Sequence, residues 1–206
     1  MSHATPQQHL DASVPTAPLS REGWGRFAMW LFLASDSVTF GGLLTGHLAL
    51  RTQNADWPSP TDHLALTLGA IMTALLLGSS VTMVKALSAA QVNARRQYSQ
   101  FLLLTISAGV LFLVLQAYEW LHLLHKGMTA SMNPWGAPLF GATFYTLTGF
   151  HGLHVLAGVI YLACVFVSGG RRSTLAAYHA RIEIAGLYWH FVDVVWIFVF
   201  TCVYLL

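Results

Sequence analysis

The apolar positions of this chain gather into five long runs separated by short polar stretches, at about residues 26–50, 64–90, 101–124, 139–167 and 182–206. Each run reaches the roughly 20 residues that carry an α-helix across the hydrocarbon core of a bilayer. The pattern therefore predicts an all-α, polytopic membrane protein with five transmembrane helices. The connections carry turn formers, Trp57-Pro58-Ser59-Pro60, Asn133-Pro134-Trp135-Gly136 and Ser168-Gly169-Gly170, and are too short to hold a soluble domain. Residues 1–23 are polar, contain Pro6, Pro15 and Pro18, and have no apolar stretch long enough for the core of a signal peptide. A disordered cytoplasmic tail at 1–23 ahead of one membrane domain at 24–206 is the expected organisation.

Composition agrees: 55% of the residues are hydrophobic, only 9% are charged and the mean hydropathy is +0.58, which excludes an ordinary soluble domain. The formal charge of +2 could suggest an anionic partner, so the positions of the cations matter. Arg21, Arg26, Lys85, Arg95, Arg96, Arg171, Arg172 and Arg181 fall on one side of the five spans, and Arg51 and Lys126 on the other. Lys and Arg in short loops resist translocation. This asymmetry places the N-terminus in the cytoplasm and the C-terminus on the outer face, and it accounts for the positive charge without a nucleic-acid partner. Cys164 and Cys202 both lie in apolar runs, where a small buried thiol is the simpler reading than a disulfide.

The chemistry resides in ionisable groups within the spans, each of which costs roughly 2.5–3.5 kcal/mol if left facing lipid. These are Asp36 in the first span, Glu119 in the third, and Glu183 and Asp193 in the fifth, accompanied by His47, His122, His151, His154 and His190. At roughly 100° per residue, Glu183 and His190 nearly eclipse one another and Asp193 lies one turn beyond His190. Glu119 with His122, and His151 with His154, repeat the three-residue spacing. Three helices are thus expected to turn narrow polar faces toward a shared interior. That interior has three readings: a hydrogen-bonded tie between helices, a proton path, or a haem or copper site with histidine ligands on facing helices. Against the last, His151 and His154 share one face of one helix, whereas a bis-histidine haem wants matched pairs on two.

Two strings carry a specific resemblance. Thr148 to Val155, TGFHGLHV, and Tyr188 to Trp196, YWHFVDVVW, resemble the signatures of subunit III of haem-copper respiratory oxidases, in particular of cytochrome c oxidases. Glu183 stands seven residues before His190, as in that family, and Gln116-Ala117-Tyr118-Glu119 fits its LQA-x-E pattern. The likeness covers about residues 24–206 and is to the five-helix bacterial form, which lacks the first two of seven helices.

The resemblance implies an accessory role, not a catalytic one. Subunit III binds no haem or copper, so no metal or cofactor is expected in this chain; the haems and copper belong to partner subunits. It packs against subunit I, accompanies subunit II and other oxidase subunits, supports proton uptake into subunit I, and can enter respiratory supercomplexes. It also holds phospholipid in a cleft, here expected between the first two helices and the other three as a two-plus-three bundle. Gly41, Gly42, Gly46, Gly69 and Gly78 on the first two spans leave room for an acyl chain or for close helix contact, with Arg26, Arg95 and Arg96 as headgroup ligands. By the same likeness Asp36 matches an intramembrane acid reactive toward hydrophobic carbodiimides. It is expected in its neutral form, held by the hydroxyls of Ser35, Ser37 and Thr39. Glu119 and Glu183 match other acidic positions, and His179 matches a histidine of the loop before the last helix. Arg181 and Ile182 depart from the family's small and aromatic residues. Localisation in a bacterial inner membrane follows. Quinol oxidases and the homologous proteins beside nitric oxide reductases remain alternatives within the family. Outside it, a proton-coupled transporter would show an inverted repeat, and none is found.

Overall fold

The computed structural model describes residues 21–170 and 178–206. The expected tail lies outside the described residues except for its last three, which are helical, and Arg171 and Arg172 also lie outside them. The helices are α1 (Arg21–Gln53), the single turn α2 (Pro60–His63), α3 (Leu66–Gln91), α4 (Arg95–His125), α5 (Pro138–Gly170) and α6 (His179–Phe200), which runs on into a π-helical turn at Thr201–Leu205. All but α2 are long and apolar enough to cross a membrane, so the five expected spans are present.

Two helix ends show how the sequence sets the turns. At the end of α3, Asn93 adopts φ 55°. Its N–H then bonds Ala90 O at 3.2 Å and that of Ala94 bonds Ala89 O at 2.9 Å, a Schellman closure that satisfies the last carbonyls. The chain re-enters a helix at Arg95, and the resulting tight hairpin makes α3 and α4 the most extensively packed pair. At the end of α4, Gly127 with φ 87° plays the same part, its N–H on Leu124 O at 3.0 Å and that of Met128 on Leu123 O at 3.1 Å. A side chain at Gly127 would be strained by that backbone angle.

Helix α6 is the centre of the bundle, packed on α1, α3 and α5. Its buried aromatic residues are tied to the neighbours by polar atoms. Trp189 Nε1 donates to Ser79 Oγ at 2.9 Å, Trp196 Nε1 to Thr73 Oγ1 at 3.0 Å, and Tyr204 Oη to Glu119 Oε2 at 2.6 Å. Where these rings press inward the facing helices carry glycine. A Cβ at Gly109 would lie 2.5 Å from Trp189, and one at Gly69 2.6 Å from Phe200.

The packing does not display the two-plus-three division. Helix α1 rests on α5 and α6, while α3 is bound to α4 and α6; the first two spans do not act as a pair. Of the five glycines expected to shape a cleft, Gly69 is closely packed, whereas Gly41, Gly42, Gly46 and Gly78 have nothing within 4 Å of a would-be Cβ.

Candidate functional site: the polar interior of the bundle

Asp36 is buried on the face of α1 turned toward α5, and its Oδ2 stands 3.1 Å from His154 Nε2. The other ring nitrogen of His154, Nδ1, is 2.8 Å from Phe150 O. A carbonyl can only accept, so Nδ1 carries a hydrogen. A hydrogen bond across the Asp36–His154 contact therefore needs one proton between the two atoms; the 3.1 Å approach is not aligned as one, and Oδ2 has no hydrogen-bond partner. The expected hydroxyl support is not there. Ser37 Oγ bonds back to Leu33 O at 2.7 Å and Thr39 Oγ1 to Ser35 O at 3.3 Å, the usual back-bond of hydroxyl residues in helices; Ser35 is exposed. A histidine four helices along the chain does the work assigned to neighbours in sequence.

The three-residue pairs do not all face inward. Glu119 is buried against Tyr204, but His122 is exposed and stacks on Tyr118 with ring centroids 6.4 Å apart. His151 is fully buried, both ring nitrogens lack a hydrogen-bond partner, and the ring sits 5.0 Å from Trp196 and 5.6 Å from Phe112. The proposed single stripe on α6 likewise divides. Asp193 is buried, whereas His190 and Glu183 are half-buried, Glu183 in the second turn of α6. Spacing of three leaves ~60° between side chains, enough to send one into the core and the other to the surface.

Glu183 is claimed from outside its own helix: Arg26 Nη2 lies 2.8 Å from its Oε2, and His179 Nδ1 3.9 Å. Arg26, expected as a headgroup ligand, is thus engaged within the protein and pins the start of α1 to the start of α6. Arg96 is exposed and Arg95 partly so. His47 bonds Thr143 Oγ1 through Nδ1 at 2.9 Å and meets Trp57 edge-on.

Residues that spacing did not single out complete the interior. Gln116 Nε2 donates to Thr148 O at 2.6 Å and its amide lies against Gly152, where a Cβ would meet it at 2.8 Å. Trp120 Nε1 reaches Thr148 Oγ1 at 3.2 Å. Ser80 Oγ lies 2.6 Å from His190 Nδ1. A signal for the α3–α6 seam is the recurrence of Trp189 and Trp196 along α6 opposite the hydroxyl residues Ser79 and Thr73 on α3; Gln116, Trp120 and Thr148 have no such spacing signal. Among the described residues no group of three or more His, Cys, Asp and Glu side chains comes together as a metal site. The arrangement gives Asp36, Glu119 and Glu183 partners on other helices, while the buried oxygens of Asp193 and the ring nitrogens of His151 have none among the described residues.

Removing the Tyr204 hydroxyl tests one of these contacts. Tyr204→Phe leaves both oxygens of Glu119 without a partner, since Oε1 already has none, at an expected cost of about 1–3 kcal/mol. A lowered thermal midpoint in detergent is the expected result, and Glu119→Gln with Tyr204 intact should lose less.

Comparison with known proteins agrees with this architecture. The family model described as cytochrome c oxidase subunit III matches residues 20–206. Cytochrome c oxidase subunit 3 of Bacillus subtilis (strain 168) is 37% identical, the alignment covering 93% of this chain and 92% of that protein. The cytochrome c oxidase subunit 3 of Synechocystis sp. is 38% identical over 87% of this chain and 75% of its own length. Cytochrome bo(3) ubiquinol oxidase subunit 3 of Pseudomonas aeruginosa is 34% identical, with 87% and 84% covered. Five membrane-length helices, an acid in the first of them tied to TGFHGLHV in the fourth, and a match over nearly the whole chain lead to one conclusion: the chain belongs to the cytochrome c oxidase subunit III family.

Proposed function

We propose that this chain is the non-catalytic subunit III of a bacterial aerobic terminal oxidase, docked on the haem- and copper-bearing subunit I of a complex that reduces oxygen and pumps protons. The observation that carries the reading is the family match across residues 20–206. The contacts of Asp36, Glu119 and Glu183 with other helices support it, because they turn these acids onto partners inside the bundle and leave its apolar faces for lipid and a neighbouring subunit. The relatives in Bacillus and Synechocystis favour cytochrome c as the electron donor of the complex, and the ubiquinol oxidase relative supports quinol as the second reading. Purification in mild detergent tests the proposal. A haem-containing partner should accompany the chain and oxidise reduced cytochrome c, whereas oxidation of quinol alone would favour the second reading. A colourless homo-oligomer would overturn both.

In this reading the N-terminus is cytoplasmic and the C-terminus external, supported by the eight-to-two distribution of Lys and Arg. Single cysteines placed near Asp56 and Lys126 should react with an impermeant thiol reagent added from outside, and one placed near Arg96 should not. The reverse pattern would invert the topology. Phospholipid headgroups are drawn to Arg96 at the cytoplasmic surface, Arg26 being occupied by Glu183.

A further inference from the structure

The membrane-facing strip of α6 between α1 and α3 carries a polar position where hydrocarbon is expected. Ser80 on α3 and His190 on α6 join there, Oγ to Nδ1 at 2.6 Å, and both are half-exposed. Around them the surface is aliphatic and open: Leu77 and Val84 one turn either side of Ser80, Val194 and Ile197 one and two turns beyond His190. Beneath them Asp193, only 3% exposed, presents two oxygens with no hydrogen-bond partner.

The chemistry of what covers this spot follows from its depth and its free atom. His190 is the twelfth residue of α6, about 16 Å along the helix from its first residue at ~1.5 Å per residue. That is near the middle of a hydrocarbon core about 30 Å thick. With Nδ1 engaged by the Ser80 hydroxyl, the other ring nitrogen, Nε2, has no partner among the described residues and is not enclosed by them. A ring nitrogen at that depth, whether it gives or takes a hydrogen, is unsatisfied by acyl chains, and lipid ester and phosphate groups remain near the interface. A polypeptide can bring a hydrogen-bonding side chain there, since a transmembrane helix carries Asn, Gln, Ser or Thr, each able to donate and accept, at any level. We propose that the open strip of α6 between α1 and α3 is the docking surface for a transmembrane helix of a partner subunit, one polar side chain of which hydrogen-bonds His190 Nε2 at mid-membrane.

This rests on the subunit reading above and specifies the contact face, so the test separates the two. In the assembled oxidase, a photoreactive benzophenone amino acid is placed at Val194 and, as an off-face control, at Val114, exposed on α4. The expected result is an adduct from Val194 to a transmembrane segment of a co-purifying, haem-complex polypeptide, with several-fold less from Val114. The Val194 adduct should fall at least fivefold with His190→Leu and recover with His190→Gln, whose amide can both donate and accept. If haem subunits co-purify but Val194 labels lipid, quinone or a second copy of this chain, the docking proposal is overturned and the subunit reading stands. Equal adduct yield with His190→Leu overturns the role of the imidazole. Absence of any haem-containing partner overturns the subunit reading itself.

Discussion

Exchange of Gly109 for leucine should stop the chain from accumulating in the membrane, and the single added methyl of Gly109→Ala should already lower the thermal midpoint of what does accumulate. A Cβ at this position stands 2.5 Å from Trp189 Cη2 and 2.7 Å from Val159 Cγ2, closer than carbon atoms approach. The Trp189 ring has no direction in which to retreat. Its Nε1 is held by Ser79 Oγ at 2.9 Å, and its opposite edge lies over Gly158, where a Cβ would meet it at 3.0 Å. Overpacking typically costs about 1–3 kcal/mol per site, and a wedge between α4 and α6 belongs at the top of that range. In a bilayer, helix association relies on close packing, not on a difference in hydrophobicity between lipid and partner, so the loss is not recovered elsewhere. Gly41, with nothing within 4 Å of its would-be Cβ, provides the matched control: Gly41→Ala should leave accumulation and midpoint unchanged. Normal accumulation of Gly109→Leu would mean that the α4–α6 spacing is not set by this contact.

The number and nature of the helices were legible in the sequence because hydrocarbon imposes a single solution on long apolar runs. Their packing order was not. Glycines Gly41, Gly42 and Gly46 read the same in sequence as Gly69 and Gly109, yet only the latter two lie under an aromatic ring; a small residue records permission for contact without naming the partner. The carboxylates were found by the cost of placing them at depth, whereas their partners came from distant segments: His154 for Asp36, Tyr204 for Glu119 and Arg26 for Glu183. Helical periodicity relates residues three and four apart, and it misled at His122 because the ~60° offset from Glu119 was enough to cross from core to surface. The family strings located His151 and His154 together, but only geometry assigned one to an acid and enclosed the other among Trp196, Phe112 and Phe40.

Asp36→Asn should assemble and keep most oxygen reduction, whereas Asp36→Lys should fail to assemble. The reason is the proton count at His154. Because Nδ1 gives its hydrogen to Phe150 O, Nε2 of the neutral ring is an acceptor. An asparagine amide can donate to it in place of the acid, leaving the contact formed, the pair uncharged and the shape unchanged. The cost expected is that of an ordinary hydrogen bond exchanged for another, about 1 kcal/mol or less. Lysine can also donate to Nε2, but it brings a full charge into a site whose neighbours Phe40, Phe150 and His154 offer no counter-ion. That charge costs roughly 2.5–3.5 kcal/mol at helix centre on insertion scales, before the longer side chain is accommodated. His154→Leu with Asp36 intact should fall between the two, because it strands the acid without its acceptor, and His154→Gln should recover part of the loss. The measurements are the yield of each variant in purified complex and the oxygen consumption and proton pumping per haem. An Asp36→Asn complex of normal yield with no oxygen reduction would overturn the accessory reading, since it would make the proton held between Asp36 and His154 one that must move in every turnover.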